Sequence, residues 1–328
     1  MHGRGNPAGL KPRIGIVGAS GYVGGELVRW LLEHPAFELC TVVARSAVGK
    51  RLAELHPGCE GLTDLIVSDV DIPDLASLDA VLLATPHGAA LELARQLDEA
   101  GCPRILDLSA DHRLNPDWVY GLPEWAEHNL RGARRIAVPG CFATAIELAL
   151  APLAAARVLR GPAYISAATG STGSGVTPSA GTHHPERFAN LKSYKVLSHQ
   201  HVPEIRALLA KIGDAPAIHF VPQSAPVDRG ILATCFAEVD ASVDLPALYQ
   251  EAYGGRSLIR LRRDAPELRF VRGTAFCDLA TYRDGDCAVV LSAIDNLGRG
   301  AATQAIQCLN LSFGFPAEIG LRRPACIP

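Results

Sequence analysis

The sequence predicts an α/β protein whose N-terminal half holds a parallel, doubly wound sheet. Three observations predict it. A β-branched strand runs through a glycine-rich turn straight into an amphipathic helix near residue 20. Further apolar strand-like runs then alternate with helical pattern, the arrangement that builds a sheet covered by helices. Length and composition fit: 328 residues suggest two domains, and 48% hydrophobic with 20% charged residues is ordinary for a globular chain.

The elements follow in order. The opening "MHGRGNPAGLKPR" lacks the apolar region of a signal peptide, and residues 1–12 are expected to form a disordered lead-in. "RIGIV" reads as the first strand, and "GGELVRWLLEH" carries Leu27, Val28, Leu31 and Leu32 at helical spacing. Between them stands Gly18-x-x-Gly21-x-x-Gly24, with Ser20, Tyr22 and Val23 in the same turn. Alone, three glycines are only a tight turn. Between strand and helix they allow a dinucleotide pyrophosphate to approach the backbone and the free N–H groups of the helix start.

A second strand, "FELCTVVARS", ends without the carboxylate that would bind a ribose 2′-hydroxyl. Arg45 and Ser46 stand there instead, with Lys50 behind, which favours NADP over NAD; otherwise Arg45 is a solvated loop charge. Residues 79–84 of "LDAVLLATPHG" and the run "RILDLSADHRL" give two more strands, with helical pattern at 89–100 between them. Pro86 and the polar residues at these strand ends are expected to line the ligand cleft.

"RRIAVPGCFATAIELALAPLAAARVL" runs from strand through Pro139-Gly140 into a long helix. Cys141 therefore falls at a helix N-terminus, where the dipole favours a thiolate. The chain has nine cysteines, and the other eight lack this setting. Their spacing suggests neither zinc nor a disulfide framework, so reduced, buried thiols are the default. A net charge of −3 gives no electrostatic case for nucleic acid or an anionic membrane, and no apolar run is long enough to span a bilayer.

With these residues in view, the chain resembles the N-acetyl-gamma-glutamyl-phosphate reductases and, more broadly, the aspartate-semialdehyde dehydrogenase superfamily. The likeness covers nearly all of residues 13–316. It rests on "GASGYVGGEL", "LATPHG", "DLSADHRL", "YGLPE", "PGCFATA", "GSTGSG", "SHQHVPEI", "DRGIL" and "AIDNLGRGAATQAIQ", in family order. It implies a Rossmann-like NADP-binding domain over 13–145, rejoined by 298–328, and an α+β catalytic and oligomerisation domain with a mixed sheet over 146–297. Two stretches depart from the family's commonest pattern. Phe142-Ala143 follow the cysteine where an aromatic residue and proline are usual. "THHPERFANLKSYK" is closer to a sister enzyme that reduces a carrier-linked aminoadipyl phosphate in lysine synthesis.

The resemblance also implies a chemistry. Cys141 is the nucleophile that displaces phosphate from an acyl phosphate, and NADPH supplies hydride to the thioester. A histidine should carry the proton, because imidazole titrates near neutrality. His199 and His201 share a face if their segment is extended. Family pattern favours His199 as the partner of Cys141, oriented by Glu204, with His201 on the substrate or, alternatively, as the acid/base itself. Arg113 is the phosphate candidate, as in related aspartate-semialdehyde enzymes, and Arg229, Lys192 or Lys195 are further anion candidates. Ser171 and Gly173 of "GSTGSG", together with Asn296, are expected near the cofactor. His183 and His184 lack a third ligand at suitable spacing, so no metal is expected.

The expected activity is NADPH-dependent reduction of N-acetyl-L-glutamyl 5-phosphate to the 5-semialdehyde in arginine biosynthesis. The products include inorganic phosphate, and the setting is a cytoplasmic homodimer or homotetramer. The alternatives are the carrier-linked aminoadipyl reductase, an N-succinylglutamyl-phosphate reductase, and an NADP-sensing protein on the same scaffold. A sensor would have no need of Cys141 and the histidine pair.

Overall fold

The computed structural model describes residues 10–325, so most of the expected lead-in, and Cys326, lie outside it. The first seven strands are β1 (Arg13–Val17), β2 (Glu38–Val43), β3 (Val67–Ser68), β4 (Ala80–Leu83), β5 (Ile105–Asp107), β6 (Val119–Tyr120) and β7 (Arg135–Ala137). They form one sheet in the order β3-β2-β1-β4-β5-β7-β6, and every pairing is parallel. Its central strand, β4, is apolar and buried along its whole length because helices cover both faces of the sheet. Leu27, Val28 and Leu31 of the helix Tyr22–Leu31 pack on one face with Ile306 and Leu309 of the last helix, Thr303–Ser312. Leu97 and Ala94 of the helix Ala90–Glu99 pack on the other.

The remaining strands are β8 (Leu159–Thr169), β9 (Lys192–Ser193), β10 (Ile218–Ser224), β11 (Ile231–Val239), β12 (Ile259–Leu261), β13 (Cys277–Asp284) and β14 (Cys287–Ile294). They make a mixed sheet in the order β12-β13-β14-β11-β8-β10-β9. β8 and β10 are parallel, while β11 pairs antiparallel with both β8 and β14. The helix Cys141–Ala155 lies against this sheet, burying Ile146, Leu150 and Leu153 among Ile165, Ala233 and Val290. It is the element that joins the two sheets. It starts at the carboxyl end of β7 in the first and forms the floor of the second's core.

The second strand is shorter than the sequence pattern suggests. Arg45–Ala47 turns into a single 3-10 turn directly after β2. The histidine segment, whose conformation the sequence left open, is not extended: His199 and His201 lie in the turn that enters the helix Val202–Ile212, where His201 has helical backbone angles.

Candidate active site

At the carboxyl end of β1, Gly18 takes a positive φ of 94°, and a Cβ there would come within 2.3 Å of the Ala84 carbonyl oxygen. A Cβ on Gly24 would lie 2.2 Å from the Gly18 oxygen, so the helix can close onto the turn only with glycine at that position. The amides of Gly18 and Ala19 donate to the Val43 carbonyl and tie the turn to β2. Gly21 is the N-cap and brings no capping side chain, so the first-turn N–H groups at Tyr22, Val23 and Gly24 keep their anion-binding character. Tyr22 is exposed and Ser20 partly so. Arg45, Ser46 and Lys50 are exposed just beyond β2, and no carboxylate pairs with Arg45 among the described residues. Pro86 is exposed in the loop after β4.

Ser171 and Gly173 lie on a 3-10 turn after β8. Asn296, buried after β14, secures that turn: its Nδ2 donates to Thr172 Oγ1 at 2.9 Å, and its Oδ1 accepts the Gly230 N–H at 2.7 Å. Next to Gly230, Arg229 reaches the nucleotide half. Its guanidinium donates to Asp295 Oδ1 at 2.9 Å and to Glu26 Oε2 at 3.1 Å, Glu26 being on the helix Tyr22–Leu31. Arg229, a candidate for substrate binding by sequence, is thus occupied by two buried carboxylates and clasps the two halves together.

The second cluster surrounds Cys141, the first residue of its helix. Both of its flanking approaches are tight. A Cβ on Gly140 would be 2.4 Å from His201 Nε2 and 2.7 Å from Arg113 Nη1; one on Gly300 would be 2.7 Å from the Cys141 Cβ. His199 and His201 are buried, with ring centroids 4.6 Å apart in a T-shaped arrangement. The His201 N–H donates to His199 Nδ1 at 3.2 Å, and Phe142 packs edge-on against both rings. His201 Nδ1 has no partner among the described residues.

Burial dominates the electrostatics here. It pushes the Cys141 thiol up to about 11, against the pull of the Arg113 guanidinium and of the helix-start amides. The dipole expected to favour a thiolate is therefore outweighed by desolvation, since one turn's amides replace only part of the lost hydration. Burial, helped by Lys195, brings His199 down to about 4, and His201 is held well below the imidazole range by burial and by Arg113. Both imidazoles are neutral at physiological pH. The histidines were expected to titrate near neutrality; in their buried setting they do not.

Glu204 does not orient His199. One carboxylate oxygen accepts Arg113 Nη1 at 2.9 Å; the other accepts the Gly140 N–H at 3.1 Å and the Tyr120 hydroxyl at 2.9 Å. Arg113 also donates from Nε to the Val138 carbonyl at 2.9 Å and from Nη2 to Leu108 at 3.3 Å. It thereby holds the Pro139-Gly140 turn, and its remaining N–H donors are left for an anion. The loop that carries it is itself fixed: buried Asp107 accepts His112 Nδ1 at 2.7 Å and Ser109 Oγ at 2.9 Å. His183, His184, Lys192 and Lys195 are exposed on the 183–195 segment.

Two residues escaped sequence reading. Tyr120, in "YGLPE", also brings its hydroxyl oxygen within 2.7 Å of Glu147 Oε1, and Glu147 is wholly buried in the Cys141 helix. A signal was present: Glu147 is the sole charged residue in the run "FATAIELALAPLAAA".

A glycine turn suited to a dinucleotide and a partly buried cysteine close to two buried histidines, on these two sheets, define a semialdehyde dehydrogenase. Residues 13–133 match the family "Semialdehyde dehydrogenase, NAD binding domain", and residues 141–296 match "Semialdehyde dehydrogenase, dimerisation domain". The fold is shared with aspartate semialdehyde dehydrogenase II from Vibrio cholerae (TM-score 0.76, 18% identity, 92% of this chain and 98% of that one). It is shared also with aspartate semialdehyde dehydrogenase with NADP from Candida albicans (TM-score 0.69, 15% identity, 92% and 100%).

Closer in sequence are curated N-acetyl-gamma-glutamyl-phosphate reductases. That of Ectopseudomonas mendocina is 40% identical, covering 96% of this chain and 99% of its own length; that of Methanoregula boonei is 39% identical, covering 96% and 100%. The chain belongs to the N-acetyl-gamma-glutamyl-phosphate reductase family and is an enzyme of the acyl-phosphate reductase class. No helix among the described residues is long and apolar enough to cross a membrane.

Proposed function

We propose that this enzyme reduces N-acetyl-L-glutamyl 5-phosphate to N-acetyl-L-glutamate 5-semialdehyde with NADPH, releasing phosphate through a thioester on Cys141, in cytoplasmic arginine biosynthesis. The observation that carries the reading is the convergence of Cys141, His201 and Arg113 on Gly140, with His199 against His201. The residues present fit a dinucleotide. Gly18 and Gly24 leave backbone where a pyrophosphate needs it, and exposed Arg45 and Ser46 suit a 2′-phosphate. Pro86, Ser171, Gly173 and Asn296 would hold the remainder. Bound there, NADPH supplies the hydride that takes the acyl group to the aldehyde level.

The chain's own residues do the rest. Cys141 Sγ forms a bond to the acyl carbon, and phosphate leaves with the electron pair of its C–O bond. A thiol held near 11 is not a standing thiolate, so its proton leaves as the new bond forms. A neutral buried imidazole can receive it; His199 is assigned that role, and His201, pressed on Gly140, contacts the substrate. Arg113 offers its free donors to the departing phosphate.

The dimerisation match is supported by the open face of the mixed sheet. There Tyr164, Phe236, Val289 and Tyr282 follow one another across β8, β11, β14 and β13, and the three aromatics are exposed. A homodimer or homotetramer would cover that row.

The test is phosphate-dependent reduction of NADP+ by the semialdehydes of N-acetylglutamate, N-succinylglutamate and aminoadipate. The first should be the best substrate, although one methylene separates glutamyl from aminoadipyl chains by only about 1–3 kcal/mol. Reduction that does not require phosphate would overturn the proposal.

A further inference from the structure

Tyr120 stands between two buried carboxyl groups. Its hydroxyl oxygen is 2.7 Å from Glu147 Oε1 and 2.9 Å from Glu204 Oε2. Two oxygen–oxygen contacts of that length need two protons, and a phenol has one. One of the carboxyl groups must supply the other.

The surroundings decide which. Glu204 receives Arg113 Nη1 and the Gly140 N–H as well as Tyr120, and so has the partners an ionised carboxylate requires. Glu147 forms no ion pair among the described residues, is wholly buried, and its Oε2 has no hydrogen-bond partner among them. A bare carboxylate oxygen in such a place would be costly, whereas the carbonyl oxygen of a neutral acid is tolerable.

We propose that Glu147 is a permanently protonated positioning residue. It donates to Tyr120, which donates in turn to Glu204, and so aims the Glu204 carboxylate at Arg113 and at the Gly140 N–H. The direction of the titration agrees: burial and the neighbouring Glu204 carboxylate push Glu147 well above the usual carboxylate range, beyond what Tyr120 and Arg113 restore.

The consequence reaches the nucleophile. With Glu147 neutral, the cluster behind Cys141 is one balanced pair, Arg113 and Glu204. An ionised Glu147 would add a buried negative charge six residues along the same helix. It would oppose both a developing thiolate and an anionic substrate. The inference deepens the acyl-phosphate reductase reading and rests on it for its kinetic part only.

The test uses the full-length enzyme and three variants: Glu147→Gln, Glu147→Leu and Tyr120→Phe. Infrared difference spectra should show the carbonyl stretch of a protonated carboxylic acid at pH 8 in the wild type, lost in Glu147→Gln. That measurement does not depend on activity, so it separates failure of this inference from failure of the functional proposal. The glutamine variant keeps a neutral donor to Tyr120. It should retain kcat/KM within about threefold and leave the pH profile of Cys141 alkylation unchanged. Glu147→Leu and Tyr120→Phe, if folded, should lose roughly tenfold or more in kcat and shift that profile. Absence of the protonated-acid band at pH 8 overturns the inference. So does a glutamine variant as damaged as Tyr120→Phe.

Discussion

At the residue scale, the chemistry depends on groups held in their neutral forms. Cys141 is a thiol and His199 an imidazole because both are desolvated. His199→Asn should keep ligand binding and lose ~10²–10⁴ in kcat, the usual share of general acid–base catalysis. His201→Asn should mainly raise KM. The reverse pattern would exchange the two roles. With His199 lowered to about 4, it stays competent as a base until pH falls toward that value. The acid limb of kcat/KM should therefore lie near 4 and not near the ordinary 6.5; a wild-type limb centred at neutrality would contradict the burial argument. The sequence made Cys141 legible because a helix start beside Pro-Gly is a local pattern. The partners of Glu204 and Arg113 were not legible, because a contact across 91 residues leaves no local signature.

At the element scale, the strand–turn–helix unit at 13–31 was legible because glycine spacing and apolar periodicity are both short-range. Gly24 gives a sharp test. A methyl group there would meet Gly18 and Ala19 backbone at 2.2–2.9 Å, and backbone cannot swing aside. Gly24→Ala should cost about 1–3 kcal/mol of stability and weaken NADPH binding, read by a thermal melt with and without cofactor. Arg45 is separate from packing because it is exposed. Arg45→Ala should lower kcat/KM with NADPH roughly 10- to 100-fold and leave NADH use unchanged. Equal losses with both cofactors would remove it from the 2′-phosphate. The histidine segment was harder to read. The spacing of two histidines did not by itself choose between an extended run and a helix; Pro203, at the second position of the following helix, suits a helix start just after them.

At the scale of the whole molecule, the two sheets are joined by the Cys141 helix and clasped by Glu26, Arg229 and Asp295. Arg229→Ala would leave buried Asp295 without its cation and Glu26 with Arg29 alone, and should cost roughly 3 kcal/mol. The exposed pair Arg272–Asp228 should contribute under about 1 kcal/mol by comparison. The clasp also sets an acid dependence. Burial opposes ionisation of Glu26, but hydrogen bonds from Arg29 and Arg229 prevail and lower it from 4.5 to about 2. A lowered carboxylate stabilises the fold above its unfolded value. That contribution is fully present above pH 4.5 and fades as pH falls toward 2. Thermal melts from pH 6 to pH 3 should lose stability more steeply in the wild type than in Arg229→Ala, and parallel curves would count against the clasp. Sequence reading put Arg229 on an anion because an arginine in "DRG" shows its charge but not the carboxylate 203 residues away that neutralises it.

The thioester on Cys141 is the centre of the account, and mass spectrometry of the intact enzyme tests it most directly. N-acetylglutamyl phosphate is added without NADPH, and phosphate release is followed in parallel. The account predicts one equivalent of phosphate and a mass increase of one N-acetylglutamyl group, mapped to the Cys141 peptide and absent in Cys141→Ser. Phosphate release with no acyl group on Cys141, or turnover of Cys141→Ser within tenfold of the wild type, would contradict it.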